Sequence, residues 1–307
     1  MIGSAYLAAE GLEEVLAEEL GHKGVAVEAW HGRLALSPAP PVASAWALEV
    51  WTAPVEVPCP SVKAGADALR AVQRNWAAYP VEQHRRMALI GERLPPVKAR
   101  ALRFPEAAPT SHLGGWTLLA ADRLLYSARK TSPFPNGECR FEEDRVGPPS
   151  RAYLKLWEAL ARIGTWPGAG DVCLDLGASP GGWTWVLAQL GAAVTAVDKA
   201  ALDPAVSAMP GVTALQESAF GLEVRAVDWL VCDVIAYPER LLGLVKRWIE
   251  PGGARRVVCT VKFQGETDFA AQAGFEAIEG GRLMHLFHNK HELTFVWGCD
   301  QGAARAA

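Results

Sequence analysis

The chain has 307 residues, 50% of them hydrophobic and 21% charged, with a mean hydropathy of +0.07. That is apolar material for about two domains, and it excludes a disordered chain or a small disulfide scaffold. The formal charge of −4 argues against a general polyanion binder, but it averages unlike stretches: −6 over residues 1–59, +6 over 60–158 and −4 over 159–307.

No apolar run reaches the roughly 18 residues that span a bilayer. Met1–Leu20 carries five Glu and no basic residue, unlike the start of a signal peptide. The six cysteines, at 59, 139, 173, 232, 259 and 299, form no CxxC pair or other metal-like spacing. Together these features predict a cytoplasmic protein with reduced thiols, no membrane association and no metal site.

Along the chain, residues 1–58 predict a small α+β domain. Ser4–Ala8 is strand-like, Gly11–Leu20 has helical periodicity, and Val25–Trp30 with Arg33–Ser37 reads as a hairpin around His31–Gly32. Pro38, Pro40 and Pro41 break that pattern. Over 59–130, Ala64–Trp76 predicts a helix, and Val97–Phe104 and Trp116–Ser127 predict strands. The basic residues Lys63, Arg70, Arg74, Arg85, Arg86, Arg93, Lys98, Arg100, Arg103, Arg129 and Lys130 fall here with Trp76, Tyr79 and Trp116 among them. Such a mixture suits phosphate contacts and base stacking, although large aromatics are more often core. Residues 131–149, rich in Pro, Gly and charge, predict a linker or docking arm.

From Ser150 the texture changes, and 150–300 predicts a second domain. Ser150 is a candidate N-cap for a helix over Arg151–Ile163. Strands and helices then alternate: Val172–Leu176, a helix Gly182–Leu190, Ala193–Val197, Val212–Leu215, Trp229–Cys232, a helix Glu239–Trp248 and Arg256–Val261. This alternation predicts a doubly wound, Rossmann-like parallel sheet. Arg282–His288 and Glu292–Trp297 predict a terminal antiparallel hairpin.

Asp175-Leu-Gly-Ala-Ser-Pro-Gly-Gly-Trp-Thr184 follows a predicted strand and opens a helix. Its glycines let backbone pass close to a ligand at the carboxyl edge of the sheet. It is not GxGxxG, and Pro180 lacks the N–H that a pyrophosphate would want. Asp198 ends the next strand, where an acid accepts hydrogen bonds from ribose hydroxyls. The pair points to an S-adenosylmethionine (SAM) site and away from a nicotinamide dinucleotide. Asp233, Lys262 and Glu292 stand at further strand ends, and Lys155 lies near the start of the preceding helix. Each alone is an ordinary end cap. Converging on one cleft, apposed lysines beside carboxylates would let one lysine act as a base.

Ser150-Arg-Ala-Tyr-Leu-Lys155-Leu, the 175–184 loop, Cys232-Asp233, Val261-Lys262 and Glu292 resemble the FtsJ-like SAM-dependent ribose 2′-O-methyltransferases. Thr131-Ser-Pro-Phe-Pro-Asn-Gly and His288-Asn-Lys-His-Glu292-Leu-Thr resemble, within that family, the bacterial enzymes that act on cytidine in large-subunit (23S) rRNA. The likeness is strong over 131–298 and weak over 1–130, where those enzymes carry a THUMP-containing RNA-binding region. It implies a Lys155-Asp233-Lys262-Glu292 tetrad with Lys262 as general base and Asp233 beside the methyl group. It implies a SAM pocket lined by Ser150, Gly177, Ser179, Pro180, Gly181, Gly182, Trp183, Asp198 and Asp233. Facing the adenine, those enzymes have an Asp where this chain has Glu217-Ser218, and either residue can accept from the amino group. Another RNA substrate, or an RNA-binding protein without catalysis, are the competing readings. Cys232 lacks the Pro-Cys or Thr-Cys context of base C5-methyltransferases.

Overall fold

The computed structural model describes residues 1–97 and 99–299, so Lys98 and Asp300 lie outside the described residues. The chain divides into two compact units: 1–101 with 108–140, and 102–107 with 141–299. The segment 131–149 is therefore shared, its first ten residues packing within the first unit and the rest within the second.

The first unit holds two four-stranded sheets. Its elements run β1 (Ser4–Ala8), α1 (Glu13–His22), β2 (Ala29–His31), β3 (Leu34–Ser37), β4 (Ala47–Trp51), β5 (Pro54–Pro58), α2 (Val62–Val72), β6 (Trp76–Ala78), α3 (His84–Gly91), β7 (Gly114–Ala120) and β8 (Arg123–Ser127). One sheet is ordered β2-β3-β1-β4 and the other β5-β8-β7-β6. Ala5, Leu7, Leu34, Leu36 and Trp51 of the first sheet share a core with Tyr79 and Leu125. A second core forms where Leu69 of α2 and Met87 and Ile90 of α3 meet Trp116, Leu118 and Leu124.

The helix predicted to run to Trp76 ends at Val72, and Trp76 begins β6. The indole folds back, its Nε1 donating to the carbonyls of Leu69 and Gln73, so the ring closes the helix end that it was expected to extend. No strand forms over Val97–Phe104 among the described residues; Leu102 makes one isolated bridge to Phe141. Pro95, Pro96 and Pro105 frame that stretch and withhold ladder donors. β5 was not anticipated because it has a proline at each end. As an edge strand paired only with β8, it tolerates both. Trp76, Tyr79 and Trp116 are buried core.

The second unit continues with α4 (Tyr153–Ile163), β9 (Val172–Leu176), α5 (Gly182–Gln189), β10 (Ala193–Asp198), α6 (Pro204–Ser207), β11 (Val212–Gln216), β12 (Val227–Cys232), α7 (Pro238–Ile249), β13 (Ala254–Lys262), α8 (Phe269–Glu276), β14 (Gly281–Met284) and β15 (Glu292–Trp297). The seven strands are ordered β11-β10-β9-β12-β13-β15-β14. β9 to β13 pair in parallel, and β15 inserts antiparallel between β13 and β14. β9 and β12, apart in sequence and adjacent in space, mark the point where strand order reverses, which is where sheets of this kind open a crevice. The aromatic rings of Phe104, Phe141 and Tyr153 pack on Trp157 of α4, Phe141 stacked at 3.8 Å between centroids.

Candidate active site

β9 delivers the chain to Gly177, whose N–H donates to the Val197 carbonyl at 2.9 Å. Gly177 has φ +78°, and a Cβ there would sit 2.7 Å from Val234 Cα, so only glycine lets the loop leave β9 against the chain that follows β12. Asp175, at the root of the loop, is fully buried and receives the Thr184 hydroxyl at 2.6 Å. Burial pushes its carboxyl up to about 7, with Asp233 and Asp198 adding to the rise, and its Oδ1 has no partner. Neither this anchoring role nor its burial was legible in the sequence.

Asp198 ends β10 with its carboxylate held by two main-chain donors, Ser179 N at 3.1 Å and Ala200 N at 2.9 Å. The Ser179 hydroxyl donates to the Ala201 carbonyl, and the Pro180 carbonyl accepts from Asp203 N. Gly181 precedes the first turn of α5 at φ +120°. Glu217 N donates to the Asp198 carbonyl, which brings the Glu217-Ser218 corner beside the end of β10. Phe220 lies under the Arg240 guanidinium, 3.8 Å from its ring centroid. Trp183 is buried, and its Nε1 donates to the Ala152 carbonyl at 2.9 Å, so its polar edge is spent on the start of α4.

Ser150 does not cap α4. The residue at the cap is Ala152, which makes no side-chain cap hydrogen bond. The Ser150 hydroxyl is instead buried without a partner. It faces Gly182, where a Cβ would come within 2.7 Å of it. Buried hydroxyls are ordinarily hydrogen-bonded, so this one has capacity left beside the glycine loop.

Strand pairing assembles the four charged residues. Lys262 and Glu292 are register partners at the end of the β13–β15 ladder. Asp233 follows β12, its N–H bonded to the Leu176 carbonyl. Lys155 reaches in from α4. Its Nζ lies 3.0 and 3.1 Å from the two Asp233 oxygens and 3.2 Å from Glu292 Oε1. Lys262 Nζ donates to the Asp233 carbonyl at 2.5 Å and lies 2.9 Å from Asp233 Oδ1 in an ion pair. The four side chains are between 12% and 20% exposed. Cys232 beside them is 1% exposed, and burial pushes its thiol up to about 12, which leaves it no thiolate for nucleophilic attack.

Sequence reasoning missed Glu158, whose apolar helix face gave no signal of a buried charge. It also missed the exposure of Ile235 (78%) and Tyr237 (67%), two and four residues after Asp233.

A Rossmann-like sheet with a glycine loop, a ribose-type acid and a Lys/Asp/Lys/Glu cluster defines a class, and comparison agrees: the family described as FtsJ-like methyltransferase matches residues 148–262. A "Ribosomal RNA large subunit methyltransferase M" from Alkalilimnicola ehrlichii is 32% identical over 84% of this chain and 80% of its own length. Proteins of the same name from Halorhodospira halophila (37% identical, 52% of this chain, 50% of theirs) and Azoarcus sp. (38%, 64% and 59%) are also similar. The chain belongs to this methyltransferase M family within the FtsJ-like methyltransferases. It spans about half the length of several of the curated relatives it matches.

Proposed function

We propose that this chain transfers a methyl group from SAM to a ribose 2′-hydroxyl in large-subunit rRNA, at a cytidine, with Lys262 as the general base. When bound, SAM supplies an electrophilic methyl group on a sulfonium. Ser150, Gly177, Ser179, Pro180, Gly181, Gly182 and Asp198 would hold it. Ser150's unpartnered hydroxyl and the oriented Asp198 carboxylate suit its methionine and ribose ends. Glu217 or Ser218 would accept from the adenine amino group.

One observation favours Lys262 over Lys155 as the base. Lys155 Nζ has three carboxylate oxygens within 3.2 Å, matching the three hydrogens of an ammonium. Lys262 Nζ has two acceptors, both on Asp233. With fewer acceptors around it than Lys155, Lys262 has a direction left for the substrate hydroxyl. It accepts the 2′-hydroxyl proton as the oxygen bonds to carbon, and Asp233 balances the ammonium that results. Lys155 keeps a fixed charge and holds Asp233 and Glu292 in place.

Ile235 and Tyr237, exposed beside Asp233, offer apolar faces for nucleobases flanking the target ribose. In this reading the first unit serves as a THUMP-like RNA-capture region, and the enzyme works in the cytoplasm. No helix among the described residues is long and apolar enough to cross a membrane.

The test is incubation of the chain with labelled SAM and unmodified large-subunit rRNA, followed by mapping of the label. A 2′-O-methylcytidine supports the proposal. Label confined to tRNA or another nucleotide favours the same chemistry on a different RNA. Label on a base overturns the mechanism.

A further inference from the structure

Glu158 has no place in the chemistry described above, yet both of its carboxylate oxygens are bonded from several sides. It lies on α4 three residues after Lys155 and is fully buried. Its Oε1 accepts from Phe287 N at 2.9 Å and from Arg162 Nε and Nη2 at 2.7 Å. Its Oε2 accepts from His288 N at 3.1 Å and His288 Nδ1 at 2.7 Å. The donors on 287 and 288 belong to the seven-residue connection, 285–291, between β14 and β15. The His288 ring also stacks on Phe141 at 5.1 Å.

That connection leads directly into Glu292. Asn289, next to His288, donates through Nδ2 to the Glu292 carbonyl at 3.2 Å and to Thr294 Oγ1 at 3.1 Å. Within the turn, His285 Nε2 pairs with the Lys290 carbonyl at 2.8 Å. Helix α4 therefore grips the start of β15 twice: Lys155 meets the Glu292 carboxylate, and Glu158 holds the main chain just before it. The spacing of three residues puts both on one side of the helix. Glu292 sits at the last pair of its ladder, where strands fray and an outside clamp matters most. A buried carboxylate is expensive to desolvate, so one spent on loop amides needs a return beyond packing.

We propose that Glu158 is a positioning residue for methyl transfer: by tying 287–288 to α4 it sets where Glu292 meets Lys155, and so the geometry of the lysine pair around Asp233. The inference rests on the activity proposed above. It predicts that loss of Glu158 acts through Glu292 alone, whereas a carboxylate that only stabilises the fold would act independently of it.

The experiment is a double-mutant cycle with E158Q, E292Q and the double variant. It reads kcat and KM for RNA methylation and Kd for SAM at a temperature where circular dichroism shows all of them folded. We expect E158Q to lower kcat about tenfold, with SAM Kd and RNA KM within about twofold of wild type. In the E292Q background, E158Q should change kcat less than about twofold. Multiplicative losses, or an E158Q enzyme with unchanged kcat, overturn the proposal. If E158Q does not fold, His288→Ala, which removes one of the donors and leaves both main-chain bonds, enters the same cycle with the same criterion. A wild-type chain that methylates no RNA brings down the activity reading and this inference with it; an active wild type with multiplicative losses brings down this inference alone.

Discussion

The buried charges of the first unit and the charges of the site in the second are held in different ways. In the first, the Lys130–Glu49 pair is 1% and 0% exposed and sealed from solvent: Lys130 also donates to the Phe134 carbonyl, and Glu49 accepts the Trp51 indole N–H. Glu19 is similarly spent on Ser44 and the amides of Ala45 and Trp46. In the second, the four tetrad side chains remain 12–20% exposed, and one lysine has a direction to spare. A charge sealed from solvent within the protein supports architecture. A charge held by fewer partners than it can take, at the edge of a sheet, has capacity left for a substrate. Lys130, counted in the sequence among the residues of a basic RNA-facing stretch, belongs to the first kind. Lys63 and Arg70 share Asp67, which further reduces the free charge of that stretch.

The contrast is most exposed to failure at the two lysines of the site. Lys262→Arg, which keeps the charge but cannot serve as a base, should cost roughly 10²–10⁴ in kcat while SAM affinity stays at the wild-type value. Lys155→Arg should retain far more, because a fixed cation is what that position supplies. Equal losses at both, read by single-turnover methyl transfer, would erase the distinction.

The sealed pair should answer in stability instead. Lys130→Met leaves Glu49 buried and unpaired and should cost roughly 3–5 kcal/mol, seen as a lowered urea midpoint, with SAM affinity per folded molecule unchanged.

Asp175 sharpens the comparison through pH. Its folded-state carboxyl titrates at about 7 against an ordinary 3.8, so between those values the folded chain binds more protons than the unfolded one. Stability therefore falls as pH rises through that window. Asp175→Asn should remove this slope and stabilise the ligand-free protein at pH 8 by on the order of 4 kcal/mol, with no gain below pH 4. Glu158 runs the other way. Burial pushes its carboxyl up, but Arg162, His288 and the Phe287 amide outweigh burial and hold it below the usual range. Its contribution is present above the unfolded value and is lost as pH falls through the acid range.

The smallest effect belongs to the surface. Tyr237→Ala should raise KM for RNA about tenfold and leave SAM affinity alone, with Tyr237→Phe restoring most of the difference. An unchanged KM would remove Tyr237 from the RNA path.

Much of the second unit could be read from its residues. Apolar runs of strand length at 172, 193, 212, 229 and 256, split by helical stretches, need long-range partners but specify their own type. The 175–184 loop and the acids and lysines at strand ends are local signals too. The first unit was harder. Its strands are short, β5 is framed by prolines, and Trp76 could end a helix or begin a strand until its indole found Leu69 and Gln73. Ser150 is a good capping residue by type, yet its hydroxyl lies buried against Gly182 and caps nothing.

By itself, the sequence determined the periodicities that choose strand or helix, the glycine loop, and which chemical groups stand at strand ends. All of these follow from backbone sterics and the spacing of apolar side chains over a few residues. Only the tertiary structure decided which charges are sealed and which are left open, because that depends on donors brought from far along the chain. Glu49 waits for Lys130, Glu158 for His288, and Asp233 for both Lys155 and Lys262.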